Sequence, residues 1–113
     1  MSIKECYDKM GADFDEVMQR LGSESFIKRF AVKFLDDSSY QMILDGIEAK
    51  DAELAFRGAH TLKGVAGNLS MTKLYNDLVI FVDYLRNGAD IPSAVKNFPE
   101  LKTLYNDTVN AIK

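Results

Sequence analysis

The segment Ala55-Phe56-Arg57-Gly58-Ala59-His60-Thr61-Leu62-Lys63-Gly64-Val65-Ala66-Gly67-Asn68-Leu69 holds the single histidine of the chain. It also holds three glycines, Gly58, Gly64 and Gly67, within helical spacing. A glycine in a helix interior costs about 1 kcal/mol relative to alanine, so a helix that keeps three of them has a reason for each. Ala52, Ala55, Ala59, Leu62, Ala66 and Leu69 recur at steps of three and four and define the inward face. At about 100° per residue His60 then lies about 130° from the centre of that face, and Gly64 almost opposite it. Gly67 falls near the azimuth of His60. Bare backbone is therefore expected on the C-terminal side of an imidazole that faces solvent.

A solvent-facing imidazole is a nucleophile whose neutral form is available near neutral pH. Lys63, at i+3, can lean toward the same spot and supply positive charge where an anion bonded to the ring would sit. Gly64 and Gly67 remove side chains, so a second protein's surface could approach the ring. The chain has no G-x-x-x-x-G-K and no glycine-rich turn between strand and helix, so nothing in it is suited to a nucleotide. The group that reaches His60 would come from another protein. No second His or Cys ligand accompanies His60, so no metal site is expected. No second acid or base stands near it, which argues against an autonomous enzyme. Arg57 and Glu53 share the outer side as an expected i,i+4 pair. Phe56 lies at the edge of the inward face, where core packing and partner contact remain equally open.

The elements that carry this segment follow from helix start and stop signals. A short helix is expected from about Ile3 to Met10, ended by Gly11. A second starts at Asp13, with Asp13 and Glu16 resembling a capping box, and ends near Leu21 at Gly22. Ser23 caps what reads as one long helix to Ala49, with Asp36-Asp37-Ser38-Ser39 as its wet side. Phe30 and Leu44, 14 residues apart, still face similar directions at about 100° per residue. Asp51 caps the histidine helix, which runs to about Asn68. Thr72 caps the next, with Tyr75, Leu78, Val82 and Leu85 on one face and Asn87-Gly88 as its stop. The last runs from about Pro92 to the C-terminus, with Phe98, Leu101, Tyr105, Val109 and Ile112 inward and Pro99 as a kink or restart. Short links make neighbours antiparallel. The expected fold is all-α: an antiparallel up-down four-helix bundle with a short N-terminal helical pair, one domain over residues 1–113.

Composition agrees with that class. The chain has 113 residues, 47% hydrophobic and 27% charged, which is ordinary for a globular domain and excludes a disordered one. Cys6 is the single cysteine, so no disulfide framework exists. No apolar run approaches the roughly 20 residues of a membrane span, and the first residues lack an apolar signal core. A cytoplasmic location is the default expectation. With 14 basic against 17 acidic residues the net charge is −3, which argues against a nucleic-acid partner.

The stretch A-H-T-L-K-G-V-A-G-N-L, Ala59 to Leu69, resembles the signature of histidine-containing phosphotransfer (HPt) domains, centred on H-x-L-K-G followed by small residues and N-L. Phe26 to Leu44 looks like the family's first bundle helix, and Leu78 to Gly88 like the helix after the histidine. Ser70 stands where the family often has Gly, and Val82-Asp83 where Leu-Glu is common. The resemblance implies a phosphocarrier without kinase or phosphatase activity of its own. His60 would accept a phosphoryl group from a receiver-domain aspartate, through the outer ring nitrogen Nε2, and pass it to another receiver. Lys63 would stabilise the phosphoryl oxygens, and Gly64 would let the receiver's loops close on the ring. The chain would need no cofactor, since Mg²⁺ belongs to the receiver's acidic pocket. The implied partners are receiver domains of response regulators or hybrid histidine kinases, with no nucleic acid and no membrane. Phe56, Arg57, Gly64 and Gly67 are assigned to docking, with Phe14 in an exposed apolar patch that includes Met10 and Met18. Two alternatives stand: the histidine domain of a chemotaxis-type kinase, which the initial methionine disfavours, and a non-catalytic helical interaction module.

Overall fold

Short polar residues at helix starts and glycines at helix ends punctuate this chain, and its helices follow them. The computed structural model describes residues 2–86 and 90–113. Among these residues all regular structure is helical: α1 (Ile3–Met10), α2 (Phe14–Leu21), α3 (Glu24–Phe34), α4 (Ser39–Glu48), α5 (Ala52–Asn68), α6 (Thr72–Leu85) and α7 (Ile91–Ile112). Asp13, Ser23 and Asp51 each accept a backbone N–H of the first turn at 3.0–3.2 Å, satisfying donors that the helix itself leaves unpaired. Gly11 and Gly22 close α1 and α2 at φ 67° and 84°, the left-handed region that glycine enters without strain. Among the described residues no helix is long and apolar enough to cross a membrane.

Three expectations are corrected. The reciprocal capping box is Ser2–Glu5; at Asp13 only the aspartate half forms, because the Glu16 carboxylate turns to Ser70 and Arg20. Thr72 does not cap α6. Met71 holds that position, and Thr72 opens the helix with its hydroxyl donating to Ser70 O at 3.3 Å. Of the two outcomes expected at Pro99, a kink or a restart, the restart does not occur: α7 runs through Pro99 as one element. The expected stop at Asn87-Gly88 lies outside the described residues.

The largest correction concerns Ser23–Ala49, which is two helices. After Phe34 the chain tightens through three i→i−3 bonds, from the N–H groups of Leu35, Asp36 and Asp37. The Asp37 carboxylate then accepts the Ser39 N–H at 2.8 Å. Short polar side chains compete in this way with the helical bond. The polar run is thus the breaker, not the wet side. The buried positions fall out of helical phase across the break, with Ile27, Ala31 and Phe34 inward before it and Tyr40, Ile43 and Gly46 inward after it. Phe30 accordingly stays 36% exposed while Ile27 and Phe34 are buried.

Closest packing joins α4 to α5. A Cβ on Gly46 would strike the Ala55 backbone, and one on Gly58 would lie 2.6 Å from Ser39 O and 2.8 Å from Met42 Cβ. Two glycines therefore let two helix backbones touch, and their partners show the pair to be antiparallel. Gly67 under Tyr75 and Phe56 beside Arg86 make α5 and α6 antiparallel. Asn97 donating to Asp77 at 3.3 Å and Asp90 N–H donating to Tyr84 O at 2.8 Å do the same for α6 and α7. Tyr40 of α4 stacks on Tyr105 of α7, with ring centroids 3.8 Å apart.

Asp77 is a buried carboxylate between α6 and α7. Burial first, and the Glu100 carboxylate second, push it above the ordinary carboxylate range. Between the unfolded and the raised folded value, the folded state holds a proton that the unfolded chain has released. Stability therefore falls as pH rises from the unfolded value through the raised folded one. Asp77→Asn keeps an acceptor for Asn97 and removes the charge. It is expected to raise the melting temperature at neutral pH and to leave it unchanged in acid below the carboxylate range, as thermal melts across pH would show.

Candidate functional site

α5 owes its place to contacts at both ends. Its first half is pinned by the α4 crossing at Gly58. Its C-terminal carbonyls, unpaired within the helix, are taken up by α1 and α2. Tyr7 OH donates to Leu69 O at 2.7 Å; burial raises the Tyr7 phenol, which stays a donor. Arg20 donates to Gly67 O and Asn68 O, both at 3.1 Å, and to the Ser70 hydroxyl at 2.7 Å. A cation at a helix C-terminus is favourable by the helix dipole as well. The Ser70 hydroxyl in turn donates to Glu16 at 2.7 Å, and that bond, followed by Arg20, holds the Glu16 carboxyl below its ordinary range.

The α5 terminus explains the Ser70 departure. Met71 N–H reaches Ala66 O and Ser70 N–H reaches Gly67 O, the pair of bonds that closes a helix through a left-handed residue. Ser70 is that residue, at φ 53°. Glycine would sit there without strain; serine is held instead by its bonds to Glu16 and Arg20.

His60 is exposed, on the side of α5 away from buried Ala59 and Leu62. Its ring is not isolated. The Phe56 ring lies 5.7 Å away, tilted by 34°, and the Arg86 guanidinium lies 5.8 Å from the Phe56 centroid. Of the two roles that the sequence left open for Phe56 the structure shows core packing, and the same ring flanks the imidazole. Arg86, which also meets Asp83 at 3.7 Å, brings a second cation to this side. Sequence reasoning missed it, because it comes from the far end of α6 through an antiparallel pairing. Among the described residues His60 makes no ion pair, and neither does Arg57, so the expected Glu53–Arg57 pair does not form.

The three glycines of α5 separate by function. Gly58 is buried against α4. Gly67 is covered by Tyr75, whose ring carbons would meet an added Cβ at 3.1 and 3.2 Å. Its missing side chain serves an intramolecular contact, not an open docking face. Gly64 is exposed, and nothing lies within 4 Å of an added Cβ. Lys63, half-buried, lines with Gly64, Gly67, Tyr75, Arg20 and Glu16 a groove of about 650 Å³ between α2, α5 and α6.

The N-terminal pair does not present the exposed apolar patch that the sequence suggested. Met10 is buried, while Phe14 and Met18 are half-buried against the core, Phe14 with its ring edge on Tyr7 at 5.9 Å. Phe14 follows Asp13, whose N–H donates to Ser70 O at 2.9 Å. It thus sits at the α5 terminus, ten residues from His60, about 15 Å along a helix rising 1.5 Å per residue. Among the described residues no three acidic, His or Cys side chains cluster as metal ligands would.

Comparison with protein-family models, curated proteins and solved structures finds no match to this chain.

Two alanine substitutions should separate the glycines. Gly58→Ala forces a Cβ into the α4 backbone and is expected to cost about 1–3 kcal/mol. Gly64→Ala meets open space and should stabilise by about 0.5–1 kcal/mol through helix propensity. Urea unfolding of both variants checks the opposite signs.

Proposed function

We propose that this chain is a histidine phosphocarrier of the HPt type, accepting a phosphoryl group on His60 from the aspartyl phosphate of a receiver domain and passing it to another receiver. The observation that carries the reading is the open approach to His60: an exposed imidazole with backbone alone, at Gly64, one turn beyond it. Lys63 and Arg86 support it as cations on the same side. The local pattern H-x-L-K-G supports it independently.

In the proposed step the neutral ring attacks phosphorus in line. The Nε2–P bond forms as the aspartyl O–P bond breaks, and the carboxylate leaves with the electron pair. The proton on Nδ1 stays with the ring until solvent removes it. Lys63 offsets charge on the transferred oxygens, and positioning does most of the remaining work. Mg²⁺ is assigned to the receiver, not to this chain, and the chain is assigned no kinase or phosphatase activity. A cytoplasmic location goes with this reading.

The finer fold belongs to the same proposal. α4, α5, α6 and α7 are read as an up-down four-helix bundle, with α1 and α2 as the N-terminal pair and α3 as the detached first half of the first bundle helix. The antiparallel pairings and the Tyr40–Tyr105 stack, which joins first helix to last, support it.

The test is transfer from a panel of phosphorylated receiver domains. Wild type is expected to gain an acid-labile label from at least one. His60→Gln should gain none while melting within about 0.5 kcal/mol of wild type, as an exposed substitution should. Gly64→Ala, although more stable, should transfer more slowly. A label that survives His60→Gln would remove the site assignment. A folded wild type that no receiver labels would remove the carrier reading.

A further inference from the structure

Among the described residues three of the six large apolar side chains left exposed, Phe26, Phe30 and Val32, lie on α3. Phe26 and Phe30 stack with centroids 6.5 Å apart. The Arg29 guanidinium lies 5.4 Å from the Phe26 centroid, and the Lys33 ammonium 5.8 Å from that of Phe30. Positions 26, 29, 30 and 33 form one stripe along a helix. Among the described residues neither Arg29 nor Lys33 meets a carboxylate within ion-pair distance; the pairs present are Arg20–Glu16 and Arg86–Asp83. A chain of net charge −3 thus carries an outward aromatic stripe topped by two cations without anionic partners.

That stripe is continuous with the histidine helix. Phe30, Lys33, Phe34 and Asp37 line a groove with Val65 and Asn68 of α5 and with Leu69, which caps it. Val65 and Asn68 stand one and four residues beyond Gly64, so the bare backbone at Gly64 lies between His60 and this groove. On the other side of α5, Arg20 is already committed to internal bonds. On the α3 side Arg29 and Lys33 meet no carboxylate among the described residues, and Phe26 and Phe30 stay exposed.

We propose that Phe26, Arg29, Phe30 and Lys33 dock the phosphodonor protein through a surface that is apolar at its centre and carboxylate-rich at its rim. The proposal rests on the carrier reading of His60. Charge complementarity selects this occupant. A second copy in a two-fold contact would set the same cations against themselves. An anionic membrane would repel the acidic remainder of the chain.

The test measures transfer from the phosphorylated receiver that labels wild type best, alongside labelling by phosphoramidate, a small donor that needs no docking surface. Arg29→Glu with Lys33→Glu is expected to raise KM about tenfold or more and to flatten its salt dependence. Phe30→Ala should raise KM with kcat nearly unchanged. Both variants should react with phosphoramidate as wild type does, which shows an intact fold and nucleophile. Unchanged KM in both variants overturns the docking proposal and leaves the carrier standing. A wild type that phosphoramidate labels and no receiver labels overturns both. Sedimentation showing a wild-type dimer that the variants dissolve would assign the stripe to a second copy and overturn the proposal as well.

Discussion

Gly46 and Gly58 allow the backbones of α4 and α5 to approach more closely than any side chain would permit. Interiors packed at this density do not deform to admit a methyl group, so the rotation of α5 about its axis is fixed at that crossing. His60 follows Gly58 by two residues, about 200° around the helix, and is turned outward. The exposure of the imidazole is therefore a consequence of contact on the opposite side of the same helix. At the other end, Tyr7 and Arg20 hold the last carbonyls of α5 and fix its axial position.

Three glycines in one helix look alike in the sequence and do three different things. Gly58 admits a neighbouring backbone, Gly67 admits the Tyr75 ring, and Gly64 admits nothing from this chain. Only the third has no packing explanation, and it stands nearest the histidine on the open side. Helix propensity would favour alanine there. A position that keeps glycine against propensity, without a packing reason, is where a second molecule's approach gives a physical reason for it.

Much of this was legible beforehand. The ends of α1, α2 and α5, and the outward azimuth of His60 and Gly64, follow from capping chemistry and helical phase, which are local. What was hidden depends on contacts distant in sequence. The break at Asp36-Asp37-Ser38 was visible as composition, but the 14-residue spacing of Phe30 and Leu44 fits one continuous helix, so periodicity alone argued for continuity. Met10, Phe14 and Met18 read as an exposed patch because nothing local shows that Tyr7 and the core cover them. Arg86 joins the His60 side through a pairing that periodicity cannot register. Ser70 looked like a departure from a glycine position. Its left-handed backbone and its bonds to Glu16 and Arg20 show how a serine fills that place.

The most direct measurement is chemical identification of the phosphorylated atom. After transfer from an aspartyl-phosphate donor, phosphorus NMR together with peptide mapping locates the label. The expected product is one phosphoryl group per chain, held by an N–P bond to Nε2 of His60, lost in acid and kept in base. A phosphoester on a hydroxyl side chain, an acyl phosphate, or a folded protein that takes no label from any donor would contradict it.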